Sequence, residues 1–233
     1  MDLAQDIQDS PDRKFFSARK EVKKWRPVLL KLAWMGFSYP EGTLVKKVSD
    51  GTFFAGLREV ERAYGLDIGE GRVTLENKPV EALRKKLETD YVSLFIAEVG
   101  GASVQPYGSY YIDGSIMGAS TDQVVNRYSE AGFIKDQDYT DLPDHIAVEL
   151  EYLFKLHQMD GTERYHRHVQ FFDELVKPWL GEFTDAVVEE SNSGFYAALA
   201  RWMEAGLNKD REVLGKLLNA DDSQAKEVIR KND

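Results

Sequence analysis

The sequence contains no cysteine. That absence excludes disulfides, thiolate metal sites and cysteine nucleophiles, and it fits a reducing compartment. Long apolar runs are missing too: no stretch approaches the ~18 to 20 uninterrupted apolar residues that a membrane helix needs. Basic residues are in the minority. Thirty Lys and Arg against 40 Asp and Glu give a formal charge of −10, which opposes non-specific binding to nucleic acid or anionic lipid and favours a basic partner, although an acidic balance is also common in ordinary soluble proteins. The N-terminal MDLAQDIQDSPDRK is acidic and polar where a secretory signal would be basic and then apolar. A soluble, cytoplasmic protein without membrane insertion is the expectation, and 233 residues are enough for a core that needs no covalent staples.

What is present is helical periodicity. Residues 1–10 read as a flexible tail, and 11–233 as one all-helical domain of about nine to ten helices, with a subdivision near 100–120 left open. A first helix starts after Ser10-Pro11, a good cap followed by a residue suited to the first turn, and runs to about Met35 through Phe15, Val22, Trp25, Val28, Leu29, Leu32 and Trp34. Short helices follow near 41–49 and from Thr52 to Tyr64, the latter closed by Gly65. Residues 67–78 read as loop. From Pro79 a helix carries Val80, Leu83, Leu87, Tyr91, Leu94 and Phe95 and ends at Gly100-Gly101.

The segment 100–120, GGASVQPYGSYYIDGSIMGAS, has five glycines and no helical period, and it reads as a long irregular, functional or mobile loop. It holds the one strand candidate, Tyr110-Tyr111-Ile112. Helices resume over 121–131, 143–159 and 162–189, with Pro178 expected to break or bend the last. Two more, 193–204 and 210–229, complete an all-α chain.

Chemistry-bearing motifs are few. His166 and His168 lie two apart on a helix and cannot chelate one ion from the same face. His145 and Glu149 lie four apart and could, but no third ligand is recognisable, so no metal site is expected. No Gly-x-Ser-x-Gly elbow, Walker lysine or Gly-x-Gly-x-x-Gly turn is present, and nothing points to catalysis. The notable stretch is DLPDHIAVELEYLFKLH, residues 141–157, where Ile146, Leu150, Leu153, Phe154 and His157 share one helix face behind a polar Asp-His opening. Asp144 would cap this helix, and His145 would reach across to the loop.

Several motifs, in order, resemble the TorD, DmsD and NarJ group of molybdoenzyme-maturation chaperones. They are Tyr91-Val92-Ser93-Leu94-Phe95, Pro106-Tyr107-Gly108-Ser109-Tyr110-Tyr111, Met117-Gly118-Ala119-Ser120-Thr121, Leu142-Pro143-Asp144-His145 with Glu149-Leu150-Glu151-Tyr152-Leu153, then Trp179 and Ser193-Gly194-Phe195-Tyr196. The resemblance covers about 50–205. It implies a TorD-like all-helical fold, no catalytic activity, and binding of the twin-arginine signal peptide or N-terminal segment of an immature molybdenum-containing oxidoreductase subunit, assisting cofactor insertion and proofreading before export or assembly. A monomer or domain-swapped dimer is implied as well.

Carried over, the peptide-binding residues would be Tyr91, Leu94, Phe95, Tyr107, Gly118, Asp144 and His145. An exposed carboxylate beside aromatic side chains would suit both the arginines and the apolar part of such a peptide. Leu-Pro-Asp-His is closer to the nitrate-reductase branch, and Tyr stands at 91 and 107 where relatives often carry Trp. Some relatives bind guanine nucleotides or molybdenum cofactor; no local motif supports either here, and cofactors are left unassigned. The alternatives are an acidic all-α adaptor for a folded partner, and an enzyme using His145 and Glu149 as an acid–base pair.

Overall fold

The computed structural model describes residues 11–68, 79–96, 102–133, 141–191 and 194–232, with side chains described within 24–219. The expected tail at 1–10, most of the 67–78 loop and the Gly100-Gly101 stop lie outside these residues. Helix α1 is Pro11–Phe37, α2 Gly42–Ser49, α3 Thr52–Tyr64, α4 Val80–Phe95, α5 Gly108–Asp113, α6 Ala119–Glu130, α7 Ile146–Gln158 and α8 Glu163–Phe171. A π-helical turn, Phe172–Val176, leads into α9, Lys177–Glu190, and α10 is Phe195–Asn232. The fold is all-α; among the described residues there is no strand, only an isolated bridge between Tyr107 and His145.

The apolar stripes that predict the helices meet in one core. Leu29, Leu30, Ala33 and Phe37 of α1 are buried with Leu150 and Leu153 of α7, Val60 of α3 and Leu207 of α10. An aromatic cluster fills its centre, with Phe95 against Tyr91, Phe183 and Tyr196 and Phe37 against Phe95. A buried polar knot ties four helices: Asp210 of α10 accepts from Arg26 of α1 at 2.9 Å and from the Tyr64 hydroxyl of α3 at 2.7 Å, and His168 of α8 lies 3.5 Å from it. Arg26 is 1% and Asp210 0% exposed, so each charge depends on the other for compensation.

Three expectations change. The break between 204 and 210 is absent, and α10 runs on from Phe195 to Asn232. Gly206 is there for close packing, because a Cβ at that position would meet Leu29 Cδ1 at 2.6 Å. Pro178 does not end the run from α8; the π turn ahead of it, closed by the Lys177 amide donating to the Phe172 carbonyl, absorbs the missing donor, and the Trp179 indole donates to the Leu175 carbonyl at 2.8 Å. The 100–120 segment is more ordered than its glycines suggest. Tyr110, Tyr111 and Ile112 are helical in α5 rather than extended, and α6 already begins at Ala119.

Candidate functional site: the α5 corner and the start of α7

The site grows from the way 104–120 is fastened to the start of α7. The Val104 amide donates to the Leu94 carbonyl at 2.9 Å and returns the chain to the end of α4. The Pro106 carbonyl then accepts from the Ile146 amide at 2.8 Å, and the Gly108 amide donates to the Asp144 carbonyl at 2.9 Å. The Asp144 carboxylate itself accepts from the Ser109 amide at 2.9 Å. Ser109 passes the constraint on, its hydroxyl accepting from the Met117 amide at 3.0 Å. Asp113 accepts from both the amide and the hydroxyl of Ser120, at 2.9 and 2.6 Å, and so caps α6. Gly118 is needed here, since a Cβ on it would sit 2.3 Å from Asp113 Oδ2.

The expected roles of the Asp-His pair are exchanged. His145 caps α7, its Nδ1 accepting from the Ala147 amide at 3.1 Å, while Asp144 reaches back to the start of α5. Asp144 is also not the exposed carboxylate that the resemblance suggested, being 1% exposed. Burial lowers the His145 pKa to about 4, against the raising influence of Asp141 and Asp144, so the ring is neutral and carries its proton on Nε2. Glu149, one turn further on, is buried as well. Burial and then the nearby Asp144 charge raise its pKa well above the ordinary carboxylate value. Asp144 Oδ1 and Glu149 Oε2 have no hydrogen-bond partner.

Of the expected site residues, the structure brings Tyr107, Asp144 and His145 directly together; Tyr107 and His145 meet edge to face at 5.4 Å. Gly118 joins them through the Ser109–Met117 bond. Tyr91, Leu94 and Phe95 are buried in the aromatic core. They connect to the corner through Phe183, which contacts Phe95, Trp179 and Tyr111, with Tyr111 stacked on Trp179 at 5.4 Å. These side chains position a surface instead of forming one. What α5 and its flanks expose was not among the expected binding residues: Tyr110, Ile112, Ile116 and Met117, with Val125 of α6. Ser109 and Asp113 were missed too, and only the turn-rich Gly-Ser and Asp-Gly pairs around them hint at such work.

The His145 Nδ1 is spent on Ala147, which leaves Nε2 as the remaining ring nitrogen of His145. Among the described residues no three His, Asp or Glu side chains converge as a metal site would need, and no helix is long and apolar enough to cross a membrane.

The chain is 28% identical over 144 residues to the chaperone protein TorD of Shewanella pealeana, a stretch that is 58% of this chain and 63% of that protein. It is 24% identical over 178 residues to the TorD chaperone of Vibrio cholerae El Tor Inaba N16961, covering 71% of this chain and 79% of the other. The crystal structure of a redox enzyme maturation protein from Archaeoglobus fulgidus aligns with a TM-score of 0.49 at 27% identity, over 76% of this chain and 90% of that one. The model of the family described as nitrate reductase delta subunit matches residues 57–185, more than half of the sequence and all of the corner from Val104 to Glu149; the chain belongs to that family.

Proposed function

We propose that this protein is a cytoplasmic, non-catalytic chaperone that binds the signal peptide or N-terminal segment of an immature molybdenum-containing oxidoreductase subunit and holds it until cofactor insertion. The observation that carries this reading is that the family match encloses the whole fastened corner, and it is supported by relatives of the chain that are named TorD chaperones. In this reading Asp144 and His145 are positioning residues. They fix α5 against α7 and leave the contact with the client to the outer face. Tyr91, Leu94 and Phe95 support the same corner from the core through Phe183, and Tyr107 and Gly118 shape its turn. The acidic balance of the chain suits a client segment that carries basic residues.

Co-purification from the native host, followed by mass spectrometry, tests the proposal. A molybdenum-oxidoreductase catalytic subunit should come down, and deletion of its N-terminal segment should abolish the interaction. Capture of a mature folded protein, indifferent to that deletion, would instead support an acidic adaptor.

A further inference from the structure

The most unusual residue in the corner is Met117. Its φ is 62°, the single positive value outside glycine among the described residues, in a region that glycine or asparagine occupies with less strain. Its side chain is 69% exposed, more than any other large apolar residue described. A methionine there is costly twice over, in backbone conformation and in exposed apolar surface. Yet the chain holds it firmly: its amide is bonded to Ser109, and the turn that contains it is closed by Asp113 and Ser120. Strain maintained in this way collects where a ligand is gripped. An unbranched, polarisable methionine is the side chain that adapts best to a varied apolar partner.

We infer that Met117 and its neighbours Ile116 and Ile112, the last one helical turn from the Ser109 that holds the Met117 amide, form the docking surface for the client segment, and that the occupant is an apolar stretch flanked by basic residues. This rests on the reading given under Proposed function and specifies where and by what chemistry the client is held. The charge around the corner selects that occupant. No Lys or Arg occurs between 102 and 126, whereas Asp113, next to Ile112 in α5, and Asp122, one turn before the exposed Val125 in α6, are both exposed, and Glu182 lies close enough to Tyr111 to raise its pKa after burial. Arg127, the next cation along α6, is taken up by Glu130 and Glu174 at 3.2 and 2.7 Å. A segment with acidic flanks would be repelled; one with basic flanks gains at both ends.

The test uses the full chain and fluorescence anisotropy with a labelled synthetic peptide in which a leucine–alanine run carries a pair of arginines at each end, beside twins with Glu in place of Arg or Ser in place of Leu. The parent should bind the first and neither twin. Met117→Gly, which removes side chain and strain together, should melt no lower than the parent yet bind roughly ten- to a hundredfold more weakly, as expected for the loss of one well-buried apolar anchor. Ile116→Ser should weaken binding in the same direction, and Asp122→Lys should weaken binding of the arginine peptide. Met117→Gly and Ile116→Ser that bind the peptide and retain the co-purifying client like the parent would overturn the inference while leaving the proposed function standing. Failure of the parent to bind any N-terminal segment would remove the function itself. A third overturning result is a parent dimer, seen by sedimentation, that Met117→Gly converts to monomer with peptide affinity unchanged, since the corner would then be an interface between copies.

Discussion

Replacing Asp144 separates a role in fastening from a role in contact. Ser109 is fully buried, so its amide, which donates to Asp144 Oδ2 at 2.9 Å, cannot turn to water when the carboxylate is removed. Asp144→Ala therefore leaves a buried donor without a partner. A lost bond to a charged acceptor is worth roughly 1.5 to 3 kcal/mol. Part of this is offset, because Asp144 Oδ1 is itself buried and unpartnered and because the carboxylate raises the Glu149 pKa by its charge. The net loss should be about 1 to 2.5 kcal/mol, and at about 2 to 4 °C per kcal/mol for a chain of this size the melting temperature should fall by about 2 to 10 °C. Asp144→Asn keeps an oxygen for Ser109 and can turn its amide to Glu149, so it should stay within about 1 kcal/mol of the parent. Thermal melts give the totals. Hydrogen exchange locates them, with the Ser109 and Met117 amides exchanging faster in Asp144→Ala than in Asp144→Asn. Equal melting of Asp144→Ala and the parent, or equal damage by both substitutions, would refute the fastening argument.

His168 is buried beside Asp210, and burial lowers its pKa to about 3, with Arg26 opposing protonation as well. The unfolded chain takes up that proton first, so stability is complete above the ordinary histidine pKa near 6.5 and is lost as pH falls towards 3; at pH 5 the loss from this group should be about 2 kcal/mol, seen as a smaller parent-minus-His168→Gln difference in denaturant melts at pH 5 than at pH 7.5. Glu149 has the opposite sign. Its raised pKa gives stability that is present below the unfolded carboxylate value and lost as pH rises through the folded one, so Glu149→Gln should gain on the parent at pH 8 and lose the advantage near pH 4, by the same melts. Gly206→Ala should destabilise despite alanine's better helix propensity, by about 1 to 2 kcal/mol, because the new methyl group would press on buried Leu29; a melting temperature above the parent's would show that Leu29 can move aside.

Where a helix advertises its own limits, the sequence was enough. Gly65 takes φ 63° at the end of α3, and the Leu150–Leu153 stripe of α7 is buried as its spacing requires. The readings that changed depend on what lies across from a residue. The gap expected between 204 and 210 holds Gly206, and only the close approach of Leu29 across from it accounts for a glycine inside a continuous helix. Tyr110-Tyr111-Ile112 has the composition of a strand, but Tyr111 stacking on Trp179, 68 positions away by numbering, favours one helical turn. Asp144 and His145 are both competent caps. The choice between them was made by Ser109, 35 residues upstream, which claims the carboxylate and leaves the imidazole for Ala147.

That division of labour has a consequence for how such a motif is interpreted. The α5 corner has only six helical residues, and so short a helix has little stability of its own in water. It is held by bonds from three directions: Asp144 to Ser109, Ser109 to Met117, and Asp113 to Ser120. Cutting any of them frees the strained φ of Met117 to relax and lets the exposed apolar side chains scatter. A motif residue can therefore govern binding strongly without ever meeting the client. Loss of binding in an Asp144 variant is then not evidence of an arginine–carboxylate contact. The discriminating comparison is ionic strength: a direct partly buried pair would leave the parent and Asp144→Asn with different salt dependences, whereas fastening through Ser109 predicts parallel ones, with the salt-sensitive part tracking Asp122 on the surface.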